Sequence, residues 1–357
     1  MSVFSAESFD DHERVVFAAD KDSGLRAVIA VHDTTLGPSV GGCRMFPYLS
    51  DAAALDDALR LSRGMTYKSA LAGLPMGGGK SVIIGDPRRD KSPSLWKAMA
   101  EFVDGLGGCY VAAEDSGTSV EDLRCMATYT RFVSGIGATE YGGDPSPSTA
   151  HGVFLAIRAA LQHRLANDDL GGVRVAVQGL GHVGFALSQM LRASGAVVLA
   201  ADINEDNLRR AERELGVIPV SQQEILASDV DVFSPCALGG VLNEQSIPLL
   251  RAGIVAGAAN NQLRSTSDGG QLAGRGILYC PDFLINAGGI IDVHYQRSGL
   301  DRAGLDAHLA GIATRLAEVL RRADASRLST NDIAEQLARE ILSGVRDVGI
   351  QQRANVA

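Results

Sequence analysis

The chain has 357 residues, 46% hydrophobic and 21% charged, which is the usual mix for a globular protein and enough length for two domains. Its net charge of −9 excludes nucleic acid as the expected main partner, because phosphate binding needs a basic face. Five cysteines, odd in number and without a C-x-x-C pair, predict reduced thiols rather than a disulfide framework or a metal site. The N-terminus carries acids where a secretory signal is basic and then apolar, and no run of about 20 apolar residues could span a membrane. The expectation is a soluble, cytoplasmic protein with no membrane partner.

In chain order, residues 14–19 and 25–32 read as β-branched strands joined by the turn-rich Asp20-Lys21-Asp22-Ser23-Gly24. Residues 51–68 carry apolar side chains at helical spacing. A glycine-rich loop follows, then a short strand at 81–84, a helix at 95–106 and a strand at 110–113. Gly142-Gly143-Asp144-Pro145-Ser146-Pro147-Ser148 reads as a linker before an apolar helix at 150–165. Beyond it strands (173–177, 197–201, 230–233, 254–258, 277–279) alternate with helices (182–194, 207–215), and Ser221-Gln222-Gln223-Glu224 has capping-box form. From about residue 305 the tail reads as amphipathic helix. The fold class predicted is α/β in two domains. An N-terminal α/β domain spans 1–145, a doubly wound Rossmann domain spans 146–330, and the last helix, about 330–357, returns to the first domain.

Gly179-Leu180-Gly181-His182-Val183-Gly184 follows a predicted strand and opens a predicted helix. In that context the glycines serve a tight turn, backbone approach to a pyrophosphate, and close packing of helix on strand. Asp202 ends the next strand, 18 residues after Gly184, followed by Ile203. An acid there accepts bonds from ribose hydroxyls and repels a 2′-phosphate, which favours NAD over NADP; Arg209 and Arg210 downstream could reverse that preference.

Gly77-Gly78-Gly79-Lys80-Ser81 is not a phosphate loop, since Leu74 occupies the position of the first glycine and a strand-like run follows. Lys68, ending one helix, and Lys80, on the glycine loop, fit one cleft, where two cations and partial burial would lower a lysine pKa towards neutrality. They also fit solvated surface charges. Asp115 follows a strand, where α/β enzymes place catalytic groups, though a turn aspartate fits as well. His32 and His151 read as isolated structural residues.

Several of these stretches together resemble the Glu/Leu/Phe/Val dehydrogenases. They are Gly64-Met65-Thr66-Tyr67-Lys68, Gly77-Gly78-Gly79-Lys80, Ala113-Glu114-Asp115, Pro235-Cys236-Ala237-Leu238-Gly239-Gly240, Ala259-Asn260-Asn261-Gln262-Leu263 and Asn286-Ala287-Gly288-Gly289. The resemblance is closest to the leucine dehydrogenase branch, as in His32-Asp33-Thr34-Thr35-Leu36-Gly37-Pro38. It implies that an amino acid, NAD and water give a 2-oxo acid, ammonia and NADH. Lys68 would bind the substrate carboxylate, Lys80 would activate water, and Asp115 would shuttle protons. The resemblance also implies that Asn261 and Asn286 border nicotinamide and substrate, that Thr149 holds the carboxamide, and that Cys236, Ala237, Ala258 and Asn260 line the cofactor. Val40, Gly41, Gly42, Met65, Ala113 and Val293 match the side-chain pocket, with no charge among them to pair a second carboxylate. Val40 stands where leucine enzymes usually carry leucine, and Ser134 and His294 also depart from them. A methylene in such a pocket discriminates by about 1–3 kcal/mol, so phenylalanine and tryptophan stay open beside leucine. A cleft closing over the substrate and a homo-oligomer are further implications of the resemblance. The alternatives are a non-catalytic NAD-binding protein, which would have no chemical reason to keep Lys68, Lys80 and Asp115, and a 2-hydroxy-acid dehydrogenase, which lacks the expected His-acid pair.

Overall fold

The computed structural model describes residues 3–136 and 144–354, with side chains as far as residue 347. Packing divides the chain into two units, Met1–Gly143 with Ala338–Ala357, and Asp144–Leu337.

The first unit is built from β1 (Arg14–Asp20), β2 (Leu25–Asp33), β3 (Ser39–Phe46), α1 (Asp51–Leu71), β4 (Gly77–Ile84), α2 (Pro93–Gly105), β5 (Tyr110–Glu114) and α3 (Val120–Ala127). The sheet order is β1-β2-β4-β3-β5. β1 and β2 form an antiparallel hairpin and β2 lies antiparallel to β4, whereas β3 runs parallel to both β4 and β5. Because side chains alternate across a strand, the sheet has two cores. Val28, Ala30 and Val82 pack on Ala54, Leu55, Ala58 and Leu59 of α1. Ile29, Cys43, Met45, Ile83 and Tyr110 pack on Trp96 and Met99 of α2 and Leu123 of α3.

Two expectations change here. Lys80 is not on a glycine loop, because Gly77 to Gly79 are themselves the start of β4. A Cβ on Gly78 would lie 2.1 Å from the Thr66 nitrogen, so bare backbone is what lets α1 sit down on this strand. His32 is not isolated. Its ring packs edge-on against His12, at 4.8 Å between centroids, and its Nδ1 lies 2.9 Å from Thr66 Oγ1.

The second unit runs α4 (Ser146–Leu165), β6 (Arg174–Gln178), α5 (His182–Ala193), β7 (Val197–Ala201), α6 (Glu205–Leu215), β8 (Ile218–Pro219), α7 (Glu224–Ala227), β9 (Val232–Pro235), β10 (Ile254–Val255), α8 (Ser267–Gly274), β11 (Leu278–Tyr279), α9 (Asp282–Ile285), α10 (Gly288–Ser298), α11 (Arg302–Asp324) and the start of α12 (Thr330–Ala354). Its six strands are all parallel, in the order β8-β7-β6-β9-β10-β11. That is the Rossmann order 3-2-1-4-5-6, reversing between β6 and β9, where such sheets bind dinucleotides. The linker expectation is shortened. Ser146, Pro147 and Ser148 form the first turn of α4, where a proline near the N-terminus costs no helical bond. Gly142 and Gly143 lie outside the described residues. Ser221 and Glu224 do exchange capping-box bonds of 3.0 and 3.2 Å, over a helix of only four residues. Among the described residues no helix is long and apolar enough to cross a membrane.

From Ala338 onward α12 belongs with the first unit. There Arg339 Nε donates to the Tyr67 hydroxyl at 3.0 Å, and Arg346 pairs with Asp33.

Candidate active site

In the first unit, β3 and β5 pair in register, with Gly42 beside Ala113 and Cys43 beside Glu114. One residue further, Arg44 and Asp115 fall next to each other on the face covered by α1, the face that Lys80 also shares by its alternation along β4. Lys80 is buried, at 5% exposure, and its ammonium pairs directly with the Asp115 carboxylate. Arg44 Nε donates to the same oxygen, Oδ2, at 3.2 Å. Burial alone would raise the pKa of Asp115. The Lys80 and Arg44 cations outweigh it and hold the carboxyl at about 2.

The backbone around Asp115 is clamped. Thr118 Oγ1 accepts the Asp115 N–H at 3.0 Å and lies 2.9 Å from the Cys43 carbonyl it donates to, so the turn after β5 is tied to β3. Gly42 leaves the room for the ion pair, since a Cβ there would stand 2.6 Å from Asp115 Cβ and 3.0 Å from Lys80 Nζ. Lys68 and Met65 are half-buried, one turn apart near the end of α1. Val40 and Gly41 are buried on β3, and Ala113 is half-buried on β5.

In the second unit, the glycine fingerprint occupies the turn from β6 into α5. Gly179 takes φ +100°, and its Cβ position is 2.8 Å from Ala237 across the switch point, where the Cys236 N–H donates to the Gln178 carbonyl at 2.7 Å. A Cβ on Gly184 would lie 1.9 Å from the Gly179 carbonyl, so only glycine lets helix and strand close up. At Gly181 the corresponding space is open, and no side chain caps the α5 N-terminus, with His182 and Val183 in its first turn. Free N–H groups beside open space suit a phosphate oxygen. Asp202 accepts the Leu180 N–H at 2.5 Å and the Asn204 N–H at 2.7 Å, and Ile203 beside it is exposed. His182 is exposed and pairs with Asp144 at 3.0 Å.

Asn286 donates to the Ala258 carbonyl at 3.1 Å and to Asn260 Oδ1 at 2.9 Å. Among the described residues its own Oδ1 is buried without a partner, an acceptor that a donor from outside the chain could satisfy. Asn261 holds a left-handed backbone, φ +52°. Thr149 lies in the first turn of α4, close against Gly289, and Val293 is half-buried on α10.

A family model described as Glu/Leu/Phe/Val dehydrogenase, dimerisation domain, matches residues 12–132. A second, described as Glutamate/Leucine/Phenylalanine/Valine dehydrogenase, matches residues 201–296. The leucine dehydrogenase of Bacillus cereus is 44% identical over 339 residues, which cover 94% of this chain and 92% of that protein. The chain belongs to the Glu/Leu/Phe/Val dehydrogenase family. The phenylalanine dehydrogenase of Bacillus thermotolerans is 42% identical, covering 94% of this chain and 89% of that protein. The crystal structure of L-tryptophan dehydrogenase from Nostoc punctiforme superposes with a TM-score of 0.82 at 41% identity, covering 94% of this chain and 97% of that one.

This amino-acid dehydrogenase therefore keeps Lys80 and Asp115 together in one unit and the glycine turn, Asp202, Asn260 and Asn286 in the other. Sequence reasoning missed Arg44, Asp57 and Asp282. Arg44 could have been found from the period-two offset linking Gly42 to Arg44 and Ala113 to Asp115, once β3 was known to be a strand; Asp57, on α1, could not. No comparable signal marked Asp282.

Proposed function

We propose that the chain catalyses the reversible, NAD-dependent oxidative deamination of a hydrophobic L-amino acid, with leucine and its branched-chain relatives preferred, to the 2-oxo acid and ammonia. The observation that carries this reading is the buried Lys80–Asp115 pair beside the side-chain-free Gly42, in a chain 44% identical to leucine dehydrogenases. NAD supplies the hydride acceptor when bound. Lys68 gives a point charge for the substrate carboxylate. Asp115 takes and returns protons at the amino nitrogen, and Lys80, once it has given up its own proton, orients and deprotonates the water that attacks the substrate iminium. In the second unit, Gly179 to Gly184 seat the pyrophosphate, Asp202 the adenosine ribose, and Thr149 and Asn286 the carboxamide, with Cys236, Ala237, Ala258 and Asn260 lining the same end of the sheet. In the first unit Val40, Gly41, Met65 and Ala113 are assigned to the substrate side chain; Asn261 and Val293 are the substrate-binding candidates of the second unit. The absence of charge among the pocket residues supports a hydrophobic side chain.

A homo-oligomer belongs to this reading, since residues 12–132 match a model described as a dimerisation domain. An aromatic preference is the second reading, favoured by the similarity to phenylalanine and L-tryptophan dehydrogenases. Reduced-nicotinamide absorbance followed with leucine, valine, isoleucine, phenylalanine, tryptophan and glutamate, each with NAD and with NADP, tests the reaction, the substrate and the cofactor. Fastest turnover with a branched-chain substrate and NAD is expected. No turnover with any hydrophobic amino acid would overturn the proposal.

A further inference from the structure

Arg44 is the only cation besides Lys80 that the described ion pairs bring to Asp115. It is fixed from its far side: Nη1 donates to Asp57 Oδ2 at 2.9 Å, and Asp57 is held in turn by the Tyr48 hydroxyl at 2.6 Å and by Arg60 at 2.9 Å. Asp57 and Arg60 stand on α1, the helix covering this face of the sheet, while Arg44 comes from β3. The result is an ordered run of alternating charge, Lys80, Asp115, Arg44, Asp57, Arg60, largely sheltered at its centre, where Arg44, Asp57 and Asp115 side chains keep 13–20% exposure. A guanidinium is suited to this because its planar fork can bond two carboxylates in fixed directions, which an ammonium cannot.

We propose that Arg44 is a positioning residue for the deamination reaction: clamped by Asp57, it fixes the Asp115 carboxylate in the rotamer that meets Lys80. The proposal rests on the reading of Lys80 and Asp115 as catalytic. Arg44 needs no contact with substrate to act this way. Without it, one oxygen of Asp115 loses a directional partner, and the carboxylate becomes free to turn away from the amino group. Removing the cation also lets the site hold its protons to higher pH. The other ionisable groups around the pair are Tyr48 and Asp57, already named, and Cys43 and Tyr110, both buried and both made less acidic by burial. Lys68 lies about three turns further along α1 than Asp57.

The test compares Arg44→Gln, Arg44→Lys and Asp115→Asn in the full-length enzyme. It reads kcat, KM for the amino acid, NADH affinity by fluorescence, and the pH profile of kcat/KM. Arg44→Gln is expected to lower kcat by about tenfold to a hundredfold, with NADH affinity unchanged and the acid limb of the profile moved to higher pH. Arg44→Lys should recover part of both changes, since it keeps the charge and loses the fork. Wild-type kcat and pH profile in Arg44→Gln, or an effect confined to thermal stability, overturns the proposal. If Arg44→Gln fails to fold, Arg44→Lys decides alone, and a wild-type profile in it overturns the proposal. Asp115→Asn separates the two levels. If it retains full turnover, the catalytic reading of Asp115 is wrong; if it is inactive while Arg44→Gln is normal, only the role given to Arg44 fails.

Discussion

The carboxylate of Asp282 accepts the backbone N–H of Asn261 at 2.6 Å, and so holds an asparagine in the left-handed region at φ +52°. The other carboxylate oxygen takes the Tyr279 hydroxyl at 2.7 Å. A non-glycine residue in that region costs about 1–2 kcal/mol for most side chains and less for asparagine. Asn261→Gly should therefore keep the fold and lose substrate binding, seen as a raised KM for the amino acid. Asn261→Ala should lose the same binding and about 1 kcal/mol of stability besides. Equal unfolding midpoints for the two variants would show that the backbone at Asn261 is not held as described.

Gly41 and Gly42 separate folding from chemistry. A Cβ on Gly41 would stand 1.7 Å from the Gly79 carbonyl, which is backbone and cannot turn aside. Gly41→Ala is expected to destabilise the first unit by more than about 3 kcal/mol, or to prevent folding. A Cβ on Gly42 meets first the side chains of Asp115 and Lys80, with Asp115 Cβ nearest at 2.6 Å, so Gly42→Ala should cost less stability than Gly41→Ala and lose most turnover. Denaturant melts and initial rates on the two variants check the contrast.

His32 gives stability a pH dependence with a definite sign. Burial and the neighbouring His12 lower its pKa from 6.5 to about 4. Between those values the unfolded chain binds the proton and the folded one does not, so stability rises with pH there. The contribution is complete above pH 6.5 and is lost as pH falls towards 4, an effect on the order of 3 kcal/mol at most. Urea midpoints measured from pH 7 to pH 4 should fall, and His32→Gln should flatten the slope.

Asp202 has two duties that one substitution can part. Its carboxylate holds the glycine turn through Leu180 and the next turn through Asn204. Asp202→Asn keeps an acceptor for one of these and removes the negative charge. The ratio of kcat/KM with NAD to that with NADP is expected to fall at least tenfold, roughly the value of one charge–charge repulsion of 1.4 kcal/mol. An unchanged ratio would mean that Asp202 does not face the ribose.

The second unit was largely legible in the sequence because strand and helix alternate there and each switch of period is marked by glycine or a cap. The residues 197–201 strand and the glycine turn stand where their patterns put them. The first unit was harder. Local pattern assigns no element to residues 39–46, yet they form β3, because its glycines answer to neighbouring backbone rather than to local preference. The same cause moved Lys80 from a loop onto β4. Spacing alone named Lys80 and Asp115 as separate candidates. Their meeting, and the presence of Arg44 between Asp115 and Asp57, depends on a parallel register of β3 with β5 that no local pattern encodes.

The crowding around the bare backbone of Gly41 and Gly42 also limits how such a protein can change. A surface made of main chain offers no side chain to shorten for a larger substrate, and adding one breaks the sheet or displaces the ion pair. On the proposed reading of the site, new specificity in the first unit would be written at Val40, Met65 and Ala113, which carry side chains, and not at the two glycines. A pocket so built would be retuned from the side chains that border it, leaving the Lys80–Asp115 pair in place.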